Sequence, residues 1–345
     1  MNQLPSAETF NVGHDDKPAA DWMRTLAKYR DPHHGRSTLE IAWTLVPFIG
    51  LWLAAWFAFS ISPLLSVLIC IPAAFFLVRL FAIQHDCGHG AFFRYKKLND
   101  WVGRALGVLT LTPYDVWRQS HILHHASSGN LDNRGIGDIK TLTVKEFAER
   151  GFWGRLKYRA YRNPLVLFVI GPIYIFMFDN RVPFQFLTAG AKYWISAMGT
   201  NMAIVAIAAV LIYIMGFAEF FTVFFATTAM AAAIGVWLFY IQHQFEETVW
   251  ENGDEWQLHE AALYGSSHYD LPPVFRWLTA NIGIHHVHHL YSRIPFYRLT
   301  QVLKDNPALA DIRRLTFIES LKCVKLQLWD EDKRRLVTFA EARNA

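Results

Sequence analysis

Four stretches of the chain are apolar with almost no interruption by charge, and they fall into two pairs. Residues 41–59 and 61–84 form the first pair, broken only by Arg79, and residues 194–215 and 220–241 form the second. Each is long enough to cross a hydrocarbon layer as a helix. The connectors within the pairs, 60–62 and 216–219, contain no lysine or arginine. The pattern predicts an all-α integral membrane fold: four transmembrane helices in two hairpins, with 85–193 and 242–345 forming a cytosolic helical cap.

Of the 33 lysines and arginines, Arg79 is the one that falls inside a span. The rest lie in 1–40, in the long central loop and in the C-terminal third. By the positive-inside rule both termini and that loop are expected in the cytoplasm, and a bacterial inner membrane suits this topology. Arg79 stands near the inner end of its span, where its stem can carry the charge toward water.

Two shorter apolar stretches, 101–112 and 165–178, are too short to span. They suit amphipathic or re-entrant elements at the cytoplasmic interface, and a buried helix of the cap would read the same way. The first forty residues lack the apolar core and small-residue site of a secretory signal. One membrane domain covering 1–345 is expected.

Composition agrees with this reading, with 53% hydrophobic and 18% charged residues over 345 positions. The net charge of +4 comes without a dense basic run, which argues against a nucleic-acid partner. Cys70, Cys87 and Cys323 have no C-x-x-C spacing and no disulfide framework.

The candidate chemistry lies in the histidines. His85 and His89 stand at i, i+4 at the inner end of the second span, on one helix face. His121, His124 and His125 have i, i+3, i+4 spacing; His285, His288 and His289 repeat it, with His286 between them. His243 follows the fourth span directly. One His-x-x-x-His pair is a weak signal, whereas two His-x-x-His-His motifs plus that pair in one membrane protein are a specific one. The topology puts all four groups on the same side, so nine imidazoles can converge above the hairpins. That number exceeds the four ligands of a structural zinc and suits two metals. Imidazole alone does not choose among iron, zinc, copper and nickel.

Ligating histidines donate their other ring nitrogen to carboxylates or carbonyls. Asp86, Asp138, Glu246 and Asp270 are candidates for that role, with Asp115 and Glu247 also nearby in sequence. His14, His33, His34, His259 and His268 read as ordinary surface or interface residues. Phe92, Phe93, Trp117, Phe239, Tyr240 and Trp277 flank the motifs and are candidates for lining an apolar channel or for packing.

The motifs HDCGH, HILHH and HHVHH resemble the three histidine boxes of the membrane fatty acid desaturase family. The runs HHASSGNLDNRGIGDIKTLTVKEF, YIQHQFEETVW and GSSHYDLPPVFRWLTANIGIHHVHHL are similar to acyl-lipid desaturases of the bacterial and plastid Δ12, or omega-6, branch. The resemblance covers roughly 40–305. It implies a cap that holds two iron ions, with O2 as co-substrate and a membrane lipid acyl chain as substrate. Carried over by position, His85, His89, His121, His124, His125, His285, His288 and His289 become iron ligands, His243 the ligand outside the boxes, and Asn281 a contact through a metal-bound water. His268 departs from the family pattern, where relatives tend to carry an aromatic or apolar residue. No heme, flavin or iron–sulfur motif is present, so the resemblance implies an external electron donor, ferredoxin-like or of the cytochrome and reductase type.

A related di-iron hydroxylase or monooxygenase would share such boxes, but the surrounding text favours desaturation. A metal transporter would place ligands near the bilayer midplane, and the spans hold no histidine, aspartate or glutamate between their ends. A membrane metal sensor would not need so large a set.

Overall fold

The computed structural model describes residues 19–135 and 137–343; His14 and the start of the expected N-terminal segment lie outside these. After α1 (Ala19–Leu26) come α2 (His34–Phe59) and α3 (Pro63–His89), then α4 (Lys96–Leu109) and α5 (Tyr114–Ser127). The central loop continues through β1 (Leu142–Thr143), α6 (Val144–Ala148), α7 (Phe152–Tyr161), a π-helical turn at Val166–Ile170 and α8 (Gly171–Met177). The second hairpin is α9 (Ala191–Met215) and α10 (Phe217–His243). The remainder is α11 (Leu258–Tyr264), β2 (His268–Asp270), α12 (Pro273–Leu278), α13 (His285–Leu290), α14 (Phe296–Asp305), α15 (Ala308–Asp311), β3 (Arg314–Thr316), α16 (Phe317–Cys323), β4 (Leu328–Asp330) and β5 (Arg335–Val337).

Helices α2, α3, α9 and α10 are long and apolar enough to cross a membrane. They run past the ends that hydropathy alone gives. α3 continues to His89 and α10 to His243, so the apolar rods carry their histidines on rigid extensions. Ser62 caps α3, accepting from Leu65 N, and Pro63 occupies its first position, where a missing N–H does no harm. At the other end Gly90 takes φ +66, and Ala91 N closes on Asp86 O. That left-handed turn stops the helix one residue after the ligand candidate. α2 packs along α3, and α3 along α10. Val46, Phe57, Leu64, Val205 and Val210 point outward, each more than half exposed, an arrangement that suits a lipid surround.

The cap departs from the all-helical expectation. It contains two small sheets, β1-β4-β5 and the parallel pair β2-β3. Their strands are two or three residues long, too short to leave an alternating signature. The stretch 101–112 lies mostly in α4, which buries Asn99, Gly103, Leu106 and Gly107 and leaves Trp101 exposed. The stretch 165–178 becomes the π turn and α8, bent by 59° from α7 and packed on α10.

Candidate metal centre

The nine histidines gather into two groups, each of which could hold a metal ion. His85, His89, His121, His125 and His288 form the first, and His124, His243, His285 and His289 the second; within each group the nearest ring nitrogens lie within 4.8 Å of one another. α3 gives both its histidines to the first group, and α10 gives its one to the second. α5 and α13 serve both. On each, the i, i+4 pair stays together (His121 with His125, His285 with His289), and the i+3 histidine turns about 100° away into the other group.

The nitrogens face one another. His121 Nε2 is 2.9 Å from His89 Nε2 and 3.1 Å from His125 Nε2, which is 3.2 Å from His288 Nε2. In the second group His243 Nε2 lies 3.2 Å from His124 Nε2 and 3.0 Å from His285 Nε2. These are not ordinary hydrogen bonds. His124 Nδ1 donates to Asp138 Oδ1 at 2.5 Å, and His243 Nδ1 donates to Gly265 O at 3.4 Å. In the neutral rings both Nε2 atoms are then acceptors. Two lone pairs aimed at each other repel unless a cation lies between them. His289 Nε2 is buried with no hydrogen-bond partner among the described residues, as a nitrogen reserved for a metal would be. With metal–nitrogen bonds of about 2.1 Å, separations near 3 Å correspond to angles of about 90–100°, tighter than a tetrahedron. Five donors in one group also exceed tetrahedral coordination, so the set fits a metal with a larger coordination sphere.

Burial, reinforced by neighbouring imidazoles, pushes His121, His125, His285, His288 and His289 well below the ordinary imidazole pKa. They are held neutral, the form that binds metal.

Among the carboxylate candidates, Asp138 meets His124 as described. Asp86 is buried between His85 Nδ1, 3.4 Å from its Oδ1, and Phe296 N, which donates to Oδ2 at 2.7 Å. Glu246 and Asp270 do not reach the site. Glu246 is exposed and pairs with Arg335, while Asp270 is held by Arg276 and Arg314. Asp115 pairs with Arg104 and Lys192, and Glu247 with Arg313. Asn281 stands in a left-handed turn, φ +56, with its amide donating to Phe296 O.

His268 is buried rather than at the surface. Its Nδ1 donates to Ala310 O at 2.6 Å, beside His286, whose Nε2 donates to Leu309 O. His33 caps α2. Trp117 stacks on His121, and Phe239 packs against both His124 and His243. Phe92 is a packing residue against Phe296, and the Tyr240 hydroxyl donates to Cys323 O. A cavity of about 420 Å³, lined in part by Asp138, Lys140, Phe239, His243 and Gln244, opens beside the second group.

Sequence reasoning missed Ser267. Its N–H donates to Gln242 O and its hydroxyl to Ile241 O, and its carbonyl accepts from His285 N and His286 N. One residue thus ties the end of α10 to the start of α13. Its serine-rich context carries no signal for that role.

The model for the family described as fatty acid desaturase matches residues 62–320. A fatty acid desaturase of Bacillus subtilis is 42% identical over 316 residues, covering 92% of this chain and 89% of that protein. The chain belongs to the fatty acid desaturase family. The matched region encloses both histidine groups. An sn-1 acyl-lipid omega-3 desaturase (ferredoxin) of Synechocystis sp. is 30% identical over 237 residues, 64% of this chain and 61% of the relative. An endoplasmic-reticulum omega-3 fatty acid desaturase of Nicotiana tabacum is 27% identical over 247 residues, 65% and 60% respectively. The chain spans about three fifths of the length of these two omega-3 enzymes.

Proposed function

We propose that this desaturase introduces a cis double bond into a lipid-linked acyl chain at a di-iron centre facing the cytoplasm. His85, His89, His121, His125 and His288 hold one iron, and His124, His243, His285 and His289 the other. The observation that carries this reading is the convergence of nine imidazoles into two groups of ring nitrogens within 4.8 Å of one another, with the acceptor nitrogens of His124 and His243 facing each other in the second.

No side-chain base can ionise an unactivated methylene. The metals, when bound, supply the oxidation with O2. Two adjacent methylenes lose two hydrogens, while O2 takes up these together with two electrons and two protons, leaving an alkene and two waters. The protein's own part is positional. Asp138 and Gly265 O fix the tautomers of His124 and His243. Burial excludes water from the imidazoles. Trp117 and Phe239 present apolar surface beside ligands of each group, where an alkyl chain is to lie at one fixed register.

The electrons come from an external donor, and the relative named for ferredoxin supports a protein of that class. The basic loops support a cytoplasmic cap. The box sequences favour Δ12, or omega-6, insertion, whereas two relatives are named omega-3 enzymes, so double-bond position is the quantity to read. The test is expression in a host that makes only saturated and monounsaturated acyl chains, with a competent donor and a His124→Ala/His125→Ala control. A new diene absent from the control is expected, with its double bond located by mass spectrometry. A hydroxy-acyl product, or an unchanged profile, would overturn the reading.

A further inference from the structure

Two short helices of the cap leave large apolar faces uncovered. In α12, Val274 is 66% and Phe275 46% exposed; in α16, Phe317, Ile318 and Leu321 are 52%, 71% and 51% exposed. The two are built as a pair. β2 and β3 run parallel in the register Tyr269↔Leu315 and Asp270↔Thr316, so both chains leave the sheet at the same end. One enters α12 after Leu271 and Pro272, and the other enters α16 directly at Phe317. Asp270 bonds both Arg276 and Arg314 and so stitches the units together on their polar side.

Both helices rest against the flanks of the apolar rods. On α3, Phe75 meets Phe275 with ring centroids 5.9 Å apart, Phe76 meets Trp277 at 6.0 Å, and Arg79 donates to Trp277 O. On α10, Trp237 donates to the Tyr269 hydroxyl, which bonds Ser320 of α16, and the Tyr240 hydroxyl reaches Cys323 O. Counted along α3 and α10, most of these contacts lie about 9–15 Å from the site histidines toward the hydrophobic body, at 1.5 Å per residue. Ile71, one turn further along α3 from Phe75, is itself exposed.

The helical angles separate the faces. On α16 the three apolar residues share an arc. The Glu319 carboxylate is folded back on Thr316, while Lys322, about 40° round the helix from Ile318, and Lys325, past its end, are exposed and have no ion pair among the described residues. On α12, Arg276 points away from Val274 and Phe275.

We propose that α12 and α16 form a paired foot that seats Val274, Phe275, Phe317, Ile318 and Leu321 in the cytoplasmic leaflet, with Lys322 and Lys325 at the depth of phosphate-bearing headgroups. This rests on the membrane reading under Proposed function. What selects lipid over another protein is continuity: the foot lies against α3 beside the outward-facing Ile71, so its apolar residues extend that apolar surface, with the exposed Lys322 and Lys325 as a cationic rim. The foot also bears on the site. α12 leads through 279–284 into α13, so seating it fixes the height of three site histidines.

The experiment uses the full chain in vesicles of phosphatidylcholine and phosphatidylglycerol. Nitroxides are placed singly at Val274→Cys and Ile318→Cys; Cys70, Cys87 and Cys323 are buried and will not take the label. Val210→Cys on α9 is the hydrocarbon control and Asp332→Cys the aqueous one. Collisional relaxation by O2 relative to a water-soluble nickel chelate is expected to be severalfold higher at 274 and 318 than at 332, approaching the value at 210. Chelate access at 274 and 318 equal to that at 332 overturns the foot, and so does dipolar broadening in singly labelled protein, which would mean that a second copy covers the face. Chelate access at 210 would bring down the membrane reading itself, and the foot with it.

Discussion

Asp138 accepts a 2.5 Å hydrogen bond from His124 Nδ1, and that bond decides which nitrogen of His124 faces His243. Removing the carboxylate frees the ring to flip or change tautomer. Asp138→Ala is expected to weaken metal retention in the second group by about 10–100-fold. Bound metal per chain after dialysis against graded chelator is the measurement. Unchanged retention would mean that packing alone orients His124.

Arg79 and Glu40 are each 1% exposed and form an ion pair, with Arg36 bridging to Glu40 from the surface at 2.6 Å. The Arg79 guanidinium lies 4.3 Å from the Trp277 ring and bonds Thr44 Oγ1. Arg79→Ala strands a buried carboxylate and is expected to cost about 3–5 kcal/mol, at the lower end because Arg36 stays. Arg79→Met with Glu40→Met should recover most of that loss. Thermal unfolding in detergent distinguishes the two, and a double variant no more stable than the single would contradict the account.

A Cβ on Gly88 would lie 2.8 Å from Trp117 Cζ3, and Trp117 stacks on His121 with centroids 4.8 Å apart. Gly88→Ala is therefore expected to displace the indole, costing about 1–3 kcal/mol of stability and reducing desaturation. Trp117→Phe in the Gly88→Ala background should relieve the clash. Simple additivity of the two losses in activity would show that they are not coupled.

Without metal, the buried histidines set a pH limit. The folded pKa of His121, His125, His285, His288 and His289 is depressed, first by burial. Above about pH 6.5 both folded and unfolded forms are neutral, and these groups contribute nothing to the pH slope. Below it the unfolded chain takes up protons that the folded chain refuses, so stability falls with falling pH by up to about 1.4 kcal/mol per unit for each group. The melting temperature of chelator-stripped protein should drop between pH 7 and pH 5.5, and a flat profile would refute this.

Much of the site was legible because helical spacing is local. Two His-x-x-His-His triplets and one i, i+4 pair name their own faces, and the apolar runs give the rods that carry them. The partition into five and four was not legible. It depends on how α5 and α13 cross between α3 and α10, a tertiary angle that no single helix encodes. The burial of His268 and the pairing of Asp270 with Arg314 and of Glu246 with Arg335 were hidden for a similar reason: each depends on a partner more than forty residues away. Asp138 was legible as a carboxylate near a box, but its choice of His124 came only with the fold of the loop after α5.

Because α5 and α13 each hand histidines to both groups, the two halves of the centre share their scaffold. A vacancy in one leaves loose the very helices that the other needs. Metal uptake by the newly made chain should then be cooperative, with half-filled molecules scarce at every stage of loading. A cell short of that metal would hold a mixture of finished and empty enzyme, and its lipid composition would follow the number of finished copies rather than a graded decline in each.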